Sequence, residues 1–454
     1  MLEDQMRAAL ERRRQRSTLR SLTVLDTTAR RTNLVATHDD RHPSSSSSSS
    51  RERGGAASSQ GEAPPPRPLA DFSSNDYLSL ASSAEMREAF VGRVMSAREN
   101  PLGSTGSRLL DGNSVEHEQL EHRLSTFFQS PSALFFSSGF EANVSIFSAL
   151  PQAGDLIVYD ELIHASVHDG MRTSRARFRV PFGHNDLGDL ERVLRAFCRE
   201  GAGDGKGVQL ASGSTSTLSE EGDYDTHARI SFAQALQRRQ RNVFIAVESV
   251  YSMDGDLCPL ANLVTLAERY VPRECLHIIV DEAHSTGLYG PSGRGLCVGL
   301  GVEGVRVRLA TFGKACGASG GVVLCDALTR TYLINYARPF IFSTAPPQTA
   351  LMAAHCSIDM LAREDVGGRR RERLVRPTSG REECDRLITS VADRAAADTP
   401  PATIVRSSAS PWLSGSTDHL PDGTAGPGPS TDLCACGQYG GGSAWAGAGG
   451  AGVG

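Results

Sequence analysis

Two apolar runs, Val243–Val247 (VFIAV) and Leu276–Val280 (LHIIV), constrain the fold of this chain more than any other feature. Neither alternates polar with apolar residues, so each predicts a strand covered on both faces, as in a parallel sheet. Parallel strands need a crossover, and Leu260–Tyr270, opened by Pro259, has the spacing of a helix that provides one. Ala133–Phe136 and Leu156–Tyr159 read as further short strands, with a weaker run at Val305–Ala310. Asn113 with Glu116 predicts a helix start, followed by Leu120, Leu124, Phe127 and Phe128 on one face. Leu187, Leu190, Leu194 and Phe197 mark another amphipathic helix. Strand–helix alternation of this kind predicts an α/β domain with a mostly parallel sheet.

Low-complexity segments set the limits of that domain. Residues 43–68 hold a serine run and a proline triplet, the chemistry of a linker, after an N-terminal helical arm at 1–42. The large domain is expected over 69–345, with 201–228, rich in Gly, Ser, Thr and Asp, as a surface insertion. Residues 346–412 read as an incomplete small C-terminal domain, and 413–454 as a disordered Gly-rich tail.

Charge and composition remove several classes of function. A net charge of −5 leaves no basic excess to neutralise phosphates, so no nucleic-acid partner is expected. No apolar run has the ~20 residues of a membrane helix. The ten cysteines include no CxxC pair with matching histidines, so no metal site is expected and reduced, intracellular thiols are. Glu3, Asp4 and Glu11 weaken a mitochondrial reading of the Arg-rich start, and the last residues are not a peroxisomal address. The cytoplasm is the expected compartment.

The unusual polar residues follow the strands, at the carboxyl ends where open α/β sheets bind ligands. They are Ser137-Ser138-Gly139, Glu248 to Asp254, Asp281-Glu282-Ala283-His284 and Thr311-Phe312-Gly313-Lys314. Lys314 lies among small residues, where partial desolvation would favour the neutral, nucleophilic amine; taken alone it reads as an exposed loop lysine. Asp281 ends a buried run, where a carboxylate needs a cationic partner, or it caps a helix. His164 suits stacking or proton exchange, and equally a structural hydrogen bond at a helix start. Gly139 and Phe140 would offer free helix amides to a phosphate. Residues 281–284 also match a helicase signature, but no GxxxxGK[ST] phosphate loop accompanies them.

Several strings, taken in order, are specific: DFSSNDYLSLA (71–81), GSTGSRLLDGNSVEHEQLE (103–121), SSGFEAN (137–143), HASVHDG (164–170), ESVYSMDGDLCPL (248–260), VDEAHSTGLYGPSGRG (280–295), TFGKACGASGG (311–321) and FIFSTAPPQ (340–348). Together they resemble the α-oxoamine synthases, pyridoxal-phosphate enzymes, over roughly residues 71–363. The resemblance implies an aminotransferase-type (fold type I) domain working as a homodimer, with pyridoxal 5'-phosphate as cofactor and sites at the subunit interface. By that resemblance Lys314 would hold the cofactor covalently, Asp281 would pair with its pyridine nitrogen, and His164 would stack on its ring. Ser252 and His284 would meet its phenolic oxygen, and Thr311 its phosphate beside the amides of Gly139 and Phe140. Asn75 and Glu248 would line the pocket, and Arg20 aligns with an arginine placed at the acyl substrate. The implied reaction is decarboxylative condensation of an amino acid with an acyl-CoA, alanine and a pimeloyl thioester being the expected pair. Glycine or serine with another acyl donor is the alternative, and a cofactor-binding chain without full activity is a third reading. That third reading arises because the family's arginine-bearing C-terminal stretch has no counterpart after Val405 and Pro411.

Overall fold

The computed structural model describes residues 1–20, 22, 25–26, 33–34, 74–199 and 230–371. Seven strands form its main sheet: β1 Ser132–Phe136, β2 Leu156–Asp160, β3 Phe178–Phe182, β4 Val243–Glu248, β5 Leu276–Asp281, β6 Val305–Thr311 and β7 Gly321–Cys325. Their order is β1-β7-β6-β5-β4-β2-β3. The pairings from β3 to β6 are parallel, and β7 runs antiparallel to both of its neighbours. This is the mostly parallel α/β sheet expected from the sequence.

The uninterrupted apolar runs are explained by burial on both faces. Every residue of β4 is buried. Its side chains alternate between two clusters: Val243, Ile245 and Val247 pack with Leu190, Leu194 and Leu263, whereas Phe244 and Ala246 pack with Ile146 and Val167. A third cluster joins Phe135, Ala310 and Val322 to Leu120, Leu124 and Leu351. Burying a Leu or Ile side chain contributes about 1.5–3 kcal/mol.

Most predicted elements appear, with shifts at their ends. The helix Val115–Phe127 is capped by Ser114, whose side chain accepts the His117 amide, one residue after the expected start at Asn113. The crossover helix is Leu260–Glu268, with Pro259 at its N-cap. Two strands, β3 and β7, were not anticipated. The expected C-terminal domain begins with the helix Gln348–Ala362, whose Leu351, Ile358 and Leu361 pack in the third cluster of the large domain. In that region a short π-helical turn, Glu364–Gly368, follows, whereas residues 372–412, the 201–228 insertion, the 43–68 linker and the 413–454 tail lie outside the described residues. At the start, helix Leu2–Gln15 buries none of its residues. Among the described residues no helix is long and apolar enough to cross a membrane.

Candidate active site

Register sets the framework of the site. Glu248 and Asp281 are paired residues at the ends of β4 and β5. Neighbours in register point to the same face of a sheet, so two buried carboxylates share one side. Asp281 accepts hydrogen bonds from Asn143 Nδ2 at 2.7 Å and from the Ala283 amide at 2.8 Å. Among the described residues Glu248 accepts only the Ser252 amide, at 3.2 Å through Oε2, and its Oε1 is buried without a partner. Burial, and then the charge of Asp281, push the Glu248 carboxyl well above the usual carboxylate range.

Lys314 follows β6 in a segment turned by Gly317 (φ 62°) and Gly320 (φ 118°), a backbone that L side chains rarely adopt. A chain of hydrogen bonds starts from its amine. Lys314 Nζ lies 2.7 Å from His284 Nε2, His284 Nδ1 lies 2.7 Å from the Tyr77 hydroxyl, and that hydroxyl donates to Asn75 Oδ1 at 3.0 Å. Because Tyr77 spends its proton on Asn75, it accepts from His284 Nδ1, which leaves Nε2 as the acceptor facing Lys314. The neutral imidazole this requires agrees with the direction of its titration: burial, then Lys314, hold His284 well below 6.5. Burial also lowers the Lys314 ammonium, against the opposing pull of Asp281 and Glu248. It raises the Tyr77 hydroxyl to about 12. The structure therefore makes a neutral, nucleophilic amine at Lys314 easier to reach than it would be in water.

His164 stands at the N-cap of helix Ala165–Arg172, with its Nδ1 2.7 Å from Ser166 Oγ. Ser166 in turn accepts from Asn143 Nδ2 at 3.0 Å, so one amide ties His164 to Asp281. Burial lowers the His164 imidazole. The rings of Phe140 and His164 meet edge to face, with centroids 6.4 Å apart.

The phosphate-type cradle expected at Gly139 is assembled from two elements. Helix Gly139–Ala149 begins there, capped by Ser138, whose side chain accepts the Glu141 amide. A Cβ at Gly139 would lie 3.3 Å from Thr311 Oγ1, and one at Gly321 would lie 2.6 Å from the Gly139 amide nitrogen. Helix amides and a hydroxyl thus come together where glycine keeps the space open, which suits a phosphate. A carboxylate for a pyridine nitrogen, a lysine of lowered basicity and a buried carboxyl oxygen still without a partner complete a set that fits pyridoxal phosphate.

Of the residues singled out in the sequence, Asn75, His284 and Lys314 fall in one hydrogen-bonded chain, and His164 and Asp281 are joined through Asn143. Glu248 and Ser252 are bonded to each other. Arg20 is exposed on the N-terminal segment. Sequence reasoning missed Tyr77 and Asn143 as site residues. Both lie inside the strings DFSSNDYLSLA and SSGFEAN, and a polar residue within such a string was the available signal.

Comparison with known proteins agrees with this geometry. Residues 67–376 match the family described as aminotransferase class I and II. An 8-amino-7-oxononanoate synthase of Emericella nidulans is 45% identical over 282 residues, 62% of this chain and 61% of that protein. An aminoacyl transferase sphA of Aspergillus fumigatus is 39% identical over 287 residues, 63% of this chain and 54% of that one. The chain therefore spans between 54% and 61% of the length of these relatives. A serine palmitoyltransferase variant from S. paucimobilis, solved with a bound PLP–myriocin aldimine, is similar at a TM-score of 0.52 and 26% identity, covering 66% of this chain and 63% of that one.

Proposed function

We propose, from the premise that this chain belongs to the class I and II aminotransferase family, that it is a pyridoxal-phosphate-dependent acyltransferase of the α-oxoamine synthase type. The observation that carries the reading is the Lys314–His284–Tyr77–Asn75 chain beside the in-register pair Glu248 and Asp281. A buried amine of lowered basicity, poised against a neutral imidazole, is what a lysine needs to hold a cofactor and then to move a proton. When bound, the cofactor supplies an electron sink for a carbanion next to the amino group of the substrate.

The residues do the rest. Lys314 would hold the cofactor, and its free amine would take the α-proton of the amino-acid substrate. Asp281, fixed by Asn143, would keep the pyridine nitrogen charged. His164 would stack on the ring and assist the proton transfer. His284 and Ser252 would hold the phenolic oxygen, while Thr311 and the amides of Gly139 and Phe140 would hold the phosphate. Asn75 and Glu248 line the pocket, and Arg20 meets the acyl substrate. The bond made joins the α-carbon to the thioester carbonyl, with release of the thiol. Loss of the carboxylate as CO2 and reprotonation then leave the amino-ketone.

Alanine and pimeloyl-CoA are the substrate pair we assign, giving 8-amino-7-oxononanoate as in biotin biosynthesis; the relative from Emericella nidulans carries that name. A second reading, serine or glycine with a longer acyl donor, is favoured by the likeness to serine palmitoyltransferase and to aminoacyl transferase sphA. Assaying thiol release with alanine, glycine and serine against short and long acyl thioesters separates the two. Release only with a non-alanine substrate overturns the first choice.

A homodimer is the expected assembly. Segments 102–110 and 342–348 are stitched together by Gln348 N to Leu102 O at 3.1 Å and Ala345 N to Gly106 O at 2.8 Å. Between them they expose Leu102, Leu110 and Phe342, each 72% accessible, an apolar surface suited to burial by a second copy.

A further inference from the structure

A second polar cluster lies outside the catalytic network. His184 follows edge strand β3, and both of its ring nitrogens meet carboxylates. Nδ1 is 3.0 Å from Asp160 Oδ1, at the end of β2, and Nε2 is 2.8 Å from Asp256 Oδ2. A neutral imidazole has one N–H and would turn a lone pair toward one of these oxygens, so the geometry calls for the doubly protonated ring. Neighbouring amides lock the arrangement. Asn185 N donates to Asp160 Oδ2 at 2.9 Å, and Leu162 N to Asp160 Oδ1 at 2.9 Å.

Asp256 belongs to the loop that carries Ser252. Its base is closed by Tyr251 N to Asp256 O at 3.0 Å, by Gly255 N to Tyr251 O at 2.9 Å and by the Val250–Leu257 bridge. His184 grips both base residues: Nε2 holds Asp256, and the ring packs edge-on against Tyr251, with centroids 4.5 Å apart at 88°. Ser252 is the next residue, and its amide is already tied to Glu248.

We infer that His184 is a positioning residue for the cofactor pocket, its imidazolium clasping the end of β2 to the Tyr251–Asp256 loop and so setting the place of Ser252. This inference rests on the reading of Ser252 as a cofactor contact. The groups facing the ring are Asp160 on β2, Asp256 and Tyr251 on the loop, and Glu161, which accepts the His184 backbone amide at 3.0 Å. On the following helix start, Asp189 accepts the Gly183 amide at 2.9 Å. Burial raises both the Tyr251 hydroxyl and the nearby Cys258 thiol, so neither adds charge at neutral pH. The direction of titration agrees with the clasp: although burial opposes it, the bonds and charges of Asp160 and Asp256 raise His184 above 6.5. A raised histidine contributes stability that is complete below its unfolded value and is lost as pH rises through the folded one. The loop therefore loosens on the alkaline side.

The full chain tests this with His184→Gln and Asp256→Asn. In a histidine-labelled sample, the resonance that His184→Gln removes should titrate above about 6.5, the ordinary value. It should move to lower pH in Asp256→Asn. Pyridoxal-phosphate affinity, measured by equilibrium dialysis, should weaken several-fold as pH rises through the same midpoint. In Asp256→Asn that limb should shift to lower pH, and in His184→Gln affinity should be low and its limb absent. A uniform loss of affinity with no shift of the limb would mean a merely structural histidine and would overturn the inference, as would an unraised midpoint. If the wild type binds no cofactor at any pH, the reading of the site fails and takes this inference with it. Binding that ignores the midpoint overturns the inference alone, and Asp256→Asn decides the matter even if His184→Gln does not fold.

Discussion

Glu121 and Glu248 are both almost wholly buried, 3% and 2% accessible, yet their surroundings are opposite. Glu121 meets Arg108 Nη1 at 2.7 Å, Arg330 Nη2 at 2.6 Å and the Phe135 amide at 2.9 Å, so neither oxygen lacks a donor. Glu248 has a single backbone donor, one oxygen without a partner, and a second carboxylate beside it in register. The open valence at Glu248 is the place we propose for a ligand, whereas Glu121 binds helix Val115–Phe127 to the first strand of the sheet.

Exchanging the two environments' stakes should separate stability from chemistry. Glu121→Ala leaves Arg108 buried without its main partner, and chemical denaturation should show a loss of about 3–5 kcal/mol. At the other cluster, Asp281→Asn should fold with nearly unchanged denaturation. Its turnover should fall by about a hundredfold or more, equivalent to about 2.7 kcal/mol of transition-state stabilisation. A large stability loss in Asp281→Asn would erase the contrast.

The parts of this contrast that were legible in the sequence are those written locally. Asp281 and Lys314 stand at the ends of runs whose apolar character announces a strand, so their position on the rim follows from the period of the chain. Tyr77 could not be assigned that way, because its partner His284 is 207 residues distant and only the fold joins them. Asn143 lies on a helix face, where an amide gives no sign of which carboxylate it will reach. The two unanticipated strands have physical reasons of their own. β3 contains Pro181 and Arg179, which would argue against a central strand; it is an edge strand, where both are tolerated. β7 begins inside the Gly-rich TFGKACGASGG string, and the turn at Gly320 hides the fact that the next five residues are all buried.

Smaller effects sharpen the comparison. Glu248 is raised, so between the ordinary carboxylate range and its folded value the native state holds a proton that the unfolded chain has lost. Stability falls with rising pH across that window. Glu248→Gln should remove this slope, raising stability by about 1 kcal/mol at pH 8, the scale of one unsatisfied buried polar group, and by less at pH 5. Thermal unfolding at the two pH values checks the sign. Tyr77→Phe should have the least effect: loss of one neutral hydrogen-bond link, about 1 kcal/mol, seen as a few-fold drop in kcat with folding intact.

The central claim, that Lys314 holds pyridoxal phosphate in this pocket, is tested most directly by the visible spectrum. The full chain is mixed with the cofactor, treated with borohydride and denatured, beside a Lys314→Ala variant. The wild type should show a visible band that borohydride converts to cofactor covalently attached to a peptide containing Lys314, with no attachment in the variant. Attachment that persists in Lys314→Ala, or soluble wild-type protein that shows no band, would contradict it.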